Sequence, residues 1–155
     1  MKQLIFIFLL CHVAARGFSQ IDTSSYPVQR KEVLELLHNS GPGKDKSCGD
    51  LIAVGPKGDI SLSRKEWAAT QAKEQVVFKS IRIVPGSEVI RIYDGTSAVV
   101  NFLAEVALVA GGRDLSIKVR RLEVYHRTAS GWCMVAGQGT EVDEKLFPVK
   151  SNEGK

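Results

Sequence analysis

The stretch RRLEVYHRTASGWCMVAGQGT, residues 120–140, decides the fold. Apolar and polar residues alternate up to Ala129-Ser130-Gly131 and alternate again after it around Trp132, which is the signature of two long strands joined by a tight turn. Working backwards, Leu115 to Arg127 and Ala98 to Ala110 repeat the pattern across Gly111-Gly112, and Asp94-Gly95 supplies a strong hairpin signal behind Glu88 to Tyr93. Pro85-Gly86 breaks a further alternating run from Val76 to Val84. Strands of about a dozen residues exceed the usual five or six and must twist and bend.

The first half reads differently. Val28, Val33, Leu34, Leu36 and Leu37 recur at helical spacing behind Pro27, a good first-turn residue, with Gly41-Pro42-Gly43 as the stop. The following GPGKDKSCGD is a loop by composition. Leu51 to Val54 and Ile60 to Leu62 form two short extended pieces around Gly55-Pro56-Lys57-Gly58. Ser63 and Glu66 make a capping box that opens a second helix over about residues 64–74, carrying Trp67. The fold class expected is therefore α+β: a strongly curved antiparallel sheet of about five or six strands, with two or three N-terminal helices on its concave side.

Length and composition bound the function. The 155 residues suffice for one domain, and 44% hydrophobic with 25% charged content is ordinary for a globular protein. The N-terminal MKQLIFIFLLCHVAARGFSQ reads as a secretory signal, with cleavage after Ala15, Ser19 or Gln20. Its apolar run is too short for a permanent membrane span. Residues 21–26 are then a flexible lead-in, 27–145 a single domain and 146–155 a C-terminal tail. The expected location is exported, periplasmic or secreted. Losing Lys2 and Arg16 with the signal removes two of the four excess positive charges, and no dense basic block remains, so nucleic acid is a poor partner. Gly43-Lys44 lacks the upstream Gly and following Ser or Thr of a phosphate loop. His38 and His126 stand apart with no clustered ligands, so neither metal nor cofactor is expected. With Cys48 in a loop and Cys133 on a strand, two independent thiols are favoured over a disulfide.

Taken together, Lys65-Glu66-Trp67, Asp94-Gly95 with Ala98 and Val99, Arg120 with Glu123-Val124-Tyr125, Gly131-Trp132, and Ala136, Gln138 and Thr140 resemble the SnoaL-like, nuclear-transport-factor-2-like superfamily over roughly residues 50–142. The short N-terminal helix followed by a Gly/Pro loop departs from the family's longer helical start. The resemblance implies a cone-shaped roll with a central pocket, commonly a homodimer packed through the outer sheet face. It implies no single activity, since relatives include isomerases, cyclases, dehydratases and non-catalytic domains. In the isomerases the base is an Asp before the Pro of an Asp-Pro-x-Gly turn; that position here is Gly55. Tyr93 and Tyr125 could donate to an oxyanion, and Asp94 or Glu105 could supply a carboxylate, but Asp94 sits in a hairpin turn.

A non-catalytic pocket for a small apolar or weakly acidic ligand, or a dimeric accessory role, is favoured over isomerase, dehydratase or cyclase chemistry. The candidate pocket residues are Trp67, Tyr93, Arg120, Tyr125, Trp132 and Gln138. Alternation places Arg120, Leu122 and Val124 on one face and Arg121, Glu123 and Tyr125 on the other, and the apolar neighbours of Arg120 make it the better inward candidate. Apolar Val99, Phe102, Ala104 and Val106 suggest two covered sheet faces and hence a homodimer.

Overall fold

The computed structural model describes residues 22, 24–39, 44, 46–55 and 58–143. The signal expected at residues 1–20, the Gly41-Pro42-Gly43 stop and the tail expected at 146–155 lie outside them. Among the described residues there are two helices, α1 (Pro27–His38) and α2 (Arg64–Lys73), and seven strands: β1 (Ser47–Val54), β2 (Ile60–Ser61), β3 (Val77–Ile83), β4 (Val89–Tyr93), β5 (Ser97–Ala110), β6 (Arg113–Thr128) and β7 (Gly131–Glu141). They form one curved mixed sheet in the order β2-β1-β7-β6-β5-β3, with β4 also paired to β5 beside β3. The α+β class stands, with seven strands rather than five or six.

Local chemistry sets each boundary. Pro27 occupies the first turn of α1. Ser63 accepts from the Glu66 backbone N–H at 3.2 Å while Glu66 accepts from the Leu62 N–H at 2.7 Å, completing the capping box at α2. Asp94 and Gly95 both hold positive φ, at 51° and 68°, which the tight turn from β4 to β5 requires. Long β5 and β6 pair without interruption from Ser97↔His126 to Ala110↔Arg113.

Two expectations fail at β1. It begins at Ser47, so Cys48 lies in a strand rather than a loop, and it pairs with β7 in parallel, through Ile52↔Ala136, Ala53↔Gly137 and Val54↔Gln138. Cys48 and Cys133 are joined in a disulfide, so the expectation of independent thiols is corrected. The lead-in is also held: Arg30 donates to the carbonyls of Ser25 and Asp22 and to that of Ile90, while Asp22 Oδ1 accepts the Ser24 and Ser25 N–H groups.

The core lies on one face of the sheet, called inner here. Val33 and Leu37 of α1 meet Ile92, the alternate β5 residues Ala98, Val100, Phe102, Ala104, Val106 and Leu108, and Tyr125. Each large apolar side chain so buried contributes about 1.5–3 kcal/mol. Phe102, Ala104 and Val106 therefore face the core, and of the four residues taken to imply two covered faces only Val99 points outward.

Candidate functional site

The pairing Val100↔Glu123↔Gly137↔Ala53 crosses the inner face, and Phe102↔Arg121↔Gly139 runs beside it. Glu123 is 2% exposed and Tyr125 fully buried, whereas Leu122 is 45% exposed. The inward face of β6 is thus Arg121, Glu123 and Tyr125. Arg120, expected inward, lies on the outer face, 3.4 Å from Asn101 Oδ1. The apolar neighbours that recommended Arg120 belong to the exposed face, and the core accepts the charged face instead.

It can do so because the charges are paired. Arg121 donates to Glu123 Oε1 through Nη2 at 2.8 Å and Nε at 3.2 Å. On the other oxygen, Oε2 accepts from Lys46 Nζ at 2.8 Å and from the Tyr125 hydroxyl. Lys46 also sits 5.4 Å from the Tyr125 ring centroid. A carboxylate offers about four lone-pair sites; four donors fill them here. Such a pair of faces needs room, and β7 provides it. A Cβ on Gly139 would stand 3.0 Å from Val119 Cγ1 and 3.2 Å from Arg121 Nη1, and one on Gly137 would stand 3.4 Å from Arg121 Nη2. The two glycines leave the strip of backbone across which the guanidinium lies.

The electrostatics follow. Burial pushes the Glu123 carboxyl up, but the Arg121 guanidinium, the Lys46 ammonium and the hydrogen bonds from Lys46 and Tyr125 outweigh it, and the net shift is below the ordinary carboxylate value. Burial, reinforced by the neighbouring Glu123 charge, raises the Tyr125 phenol far above its usual range. Lys46 behaves oppositely to a simple ion-pair partner: loss of hydration lowers its ammonium more than Glu123 restores it. The charged form of Glu123 is therefore favoured, and its carboxylate is a hub for four hydrogen-bond donors.

The six expected pocket residues do not converge. Tyr125 and Trp132 are on the inner side, where Trp132 Nε1 donates to Glu32 Oε2 of α1 at 2.8 Å and packs by Arg127. Arg120 and Gln138 share the outer face, Tyr93 is 48% exposed at the β4 end, and Trp67 is half-buried on α2, none of whose residues is buried. Two open grooves among the described residues are lined by none of the six. One, about 1050 Å³, lies between Arg82, Glu105, Lys118 and Glu141, and the other, about 490 Å³, lies between Leu34, His38, Glu88 and Val89. Glu123 and Tyr125 are buried side by side, the hydroxyl of one donating to the carboxylate of the other. His38 pairs with Glu88 at 2.9 Å, and Glu105 with Arg82 at 3.0 Å.

Lys46, Arg121 and Glu123 were missed as site residues. The recoverable signal was Gly137-x-Gly139: two glycines at strand spacing mark the face on which a neighbouring large side chain must lie. At Gly55 a Cβ would overlap the Asp59 carboxylate, so a carboxylate does reach the space that residue 55 leaves empty.

No family model matches the chain, and no curated protein matches it. Solved structures do. An NTF2-like protein of unknown function from Prochlorococcus is 15% identical with a TM-score of 0.61, over 80% of this chain and 99% of the other. An NTF2-like protein with a cystatin-like fold from Novosphingobium aromaticivorans is 15% identical with a TM-score of 0.55, over 92% and 90%. An NTF2-like protein from Cytophaga hutchinsonii is 20% identical with a TM-score of 0.52, over 74% and 93%. At these identities the likeness shows the fold: this chain has the NTF2-like, cystatin-like architecture.

Proposed function

We propose that the chain is an exported, non-catalytic NTF2-like domain that holds a small, weakly acidic ligand against the Arg121 edge of the inner face. The observation that carries it is the saturated Glu123 carboxylate. A base there would have to shed a donor before accepting a substrate proton, whereas Arg121 has donor capacity left over. Its side chain is 26% exposed, and its Nη1, beside Gly139, has no hydrogen-bond partner among the described residues. A guanidinium edge laid over two glycines, with the Val119 and Met134 side chains beside it, suits a planar carboxylate. The disulfide supports export, since such bonds persist in oxidising compartments. A homodimer through the outer face fits the exposed Ile52 and Leu122 there.

Binding of benzoate, set against its uncharged amide, tests the reading by calorimetry or native mass spectrometry. Benzoate binds, benzamide binds at least about tenfold more weakly, and Arg121→Gln abolishes the difference. Equal binding of acid and amide contradicts it.

A second reading, isomerase-type acid–base catalysis, has one observation in its favour: the Asp59 carboxylate at the Gly55 position. Conversion of a β,γ-unsaturated ketone to its conjugated isomer, lost in Asp59→Asn, would establish it. Absence of turnover in the unaltered protein removes it.

A further inference from the structure

Lys46 reaches Glu123 from a segment tied to β7 at two consecutive positions. Met134 N–H donates to the Lys46 carbonyl at 2.8 Å, Ser47 pairs with Met134, and Cys48 is covalently bonded to Cys133. Beyond Ser47 the register between β1 and β7 slips and resumes only at Ile52↔Ala136. The disulfide thus fastens the near end of an irregular stretch, two residues from the ammonium that fills Oε2 of Glu123. Both cysteines are half-buried, within reach of a small dithiol.

We propose that the Cys48–Cys133 disulfide is a redox latch on the anion site: closed, it keeps Lys46 on Glu123; opened by a dithiol, it releases Lys46 and weakens the cationic anchor. The exchange balances without other reactants. The S–S bond breaks, each cysteine sulfur gains a proton, and the dithiol is oxidised to its own disulfide. After release Glu123 keeps Arg121 on Oε1 and Tyr125 on Oε2 but loses one cation, and the site loses one positive charge beside the Arg121 shelf. Parallel pairing at residues 52–54 and the β1–β2 ladder at Ala53↔Ser61 hold the rest of β1 in place. The consequence for a ligand rests on the binding reading above; the consequence for Glu123 does not.

The test follows the carboxyl carbon of Glu123 by NMR in three samples: oxidised protein, protein reduced with dithiothreitol, and oxidised Lys46→Gln, with benzoate binding measured on each. The latch predicts that reduction moves the Glu123 signal to its position in Lys46→Gln while amide dispersion stays native, and that benzoate binds about tenfold more weakly to both. An unmoved Glu123 signal in reduced, folded protein overturns it. So does unfolding of the whole chain on reduction, which would make the bond a structural staple alone. If the signal moves but benzoate binds none of the samples, the latch stands and the binding reading falls.

Discussion

The two faces of β6 differ in polarity, and the more polar one is the one turned to the core. Arg121, Glu123 and Tyr125 are withdrawn from water, while Arg120, Leu122 and Val124, one residue out of phase, share a face where Leu122 is left exposed. Hydrophobicity alone would assign them the other way. What decides is the neighbouring strands: Val100 and Phe102 on one side, Gly137 and Gly139 on the other, leave a space on the inner face that a paired guanidinium and carboxylate fill. On the outer face, Asn101 and Gln138 stand beside Leu122 and offer water an open surface. Burial of charge on one side and exposure of leucine on the other are thus consequences of strand neighbours, not of residue type.

The comparison breaks most forcefully at Glu123. Glu123→Gln strands two cations that are themselves largely buried, and removing one partner of a buried ion pair costs about 3–5 kcal/mol. Arg120→Gln, its outer-face counterpart, stays within about 0.5 kcal/mol; urea unfolding of both variants reads the contrast. The pH dependence has the same origin. Because the folded Glu123 carboxyl lies below its ordinary 4.5, its stabilisation is full above that value and is lost as pH falls through the lower folded value. In Glu123→Gln that acid limb of the stability curve flattens.

A smaller effect is expected at the glycine shelf. Gly139→Ala puts a methyl against Val119 and Arg121 and costs about 1–3 kcal/mol. Gln138→Ala, one residue away and outward, changes the unfolding midpoint little. Equal effects at 138 and 139 would mean that the guanidinium does not lie across this backbone.

The smallest effect on monomer stability, and the one that sharpens the outer side, is at Leu122. Leu122→Asp leaves the unfolding free energy of the monomer within about 0.5 kcal/mol, yet converts the dimer proposed above to monomer in size-exclusion chromatography at micromolar concentration. A protein that is already monomeric there removes the dimer.

Much of the fold was legible because it rests on local rules. Pro27, the Ser63/Glu66 box, Asp94-Gly95 and the alternation of residues 97–141 each act over a few residues, and each fell where expected. The parallel pairing of β1 with β7 and the Cys48–Cys133 bond were not legible, because both join positions some 85 residues apart with no shared pattern. Alternation grouped Arg121, Glu123 and Tyr125 on one face, but which face is inward depends on Gly137 and Gly139, two positions without side chains. Lys46 gave no sequence signal, since one of two lysines in a glycine-rich stretch has the composition of a solvated loop.

The measurement that bears most directly on this account is the titration of Glu123 by carboxyl-carbon NMR in the oxidised protein. Held by Arg121, Lys46 and Tyr125, it stays ionised to below pH 4.5 and shows no step near neutrality. A Glu123 that takes up its proton between pH 6 and 7, about where a working general base is poised, would contradict the saturated hub and return the inner face to acid–base chemistry.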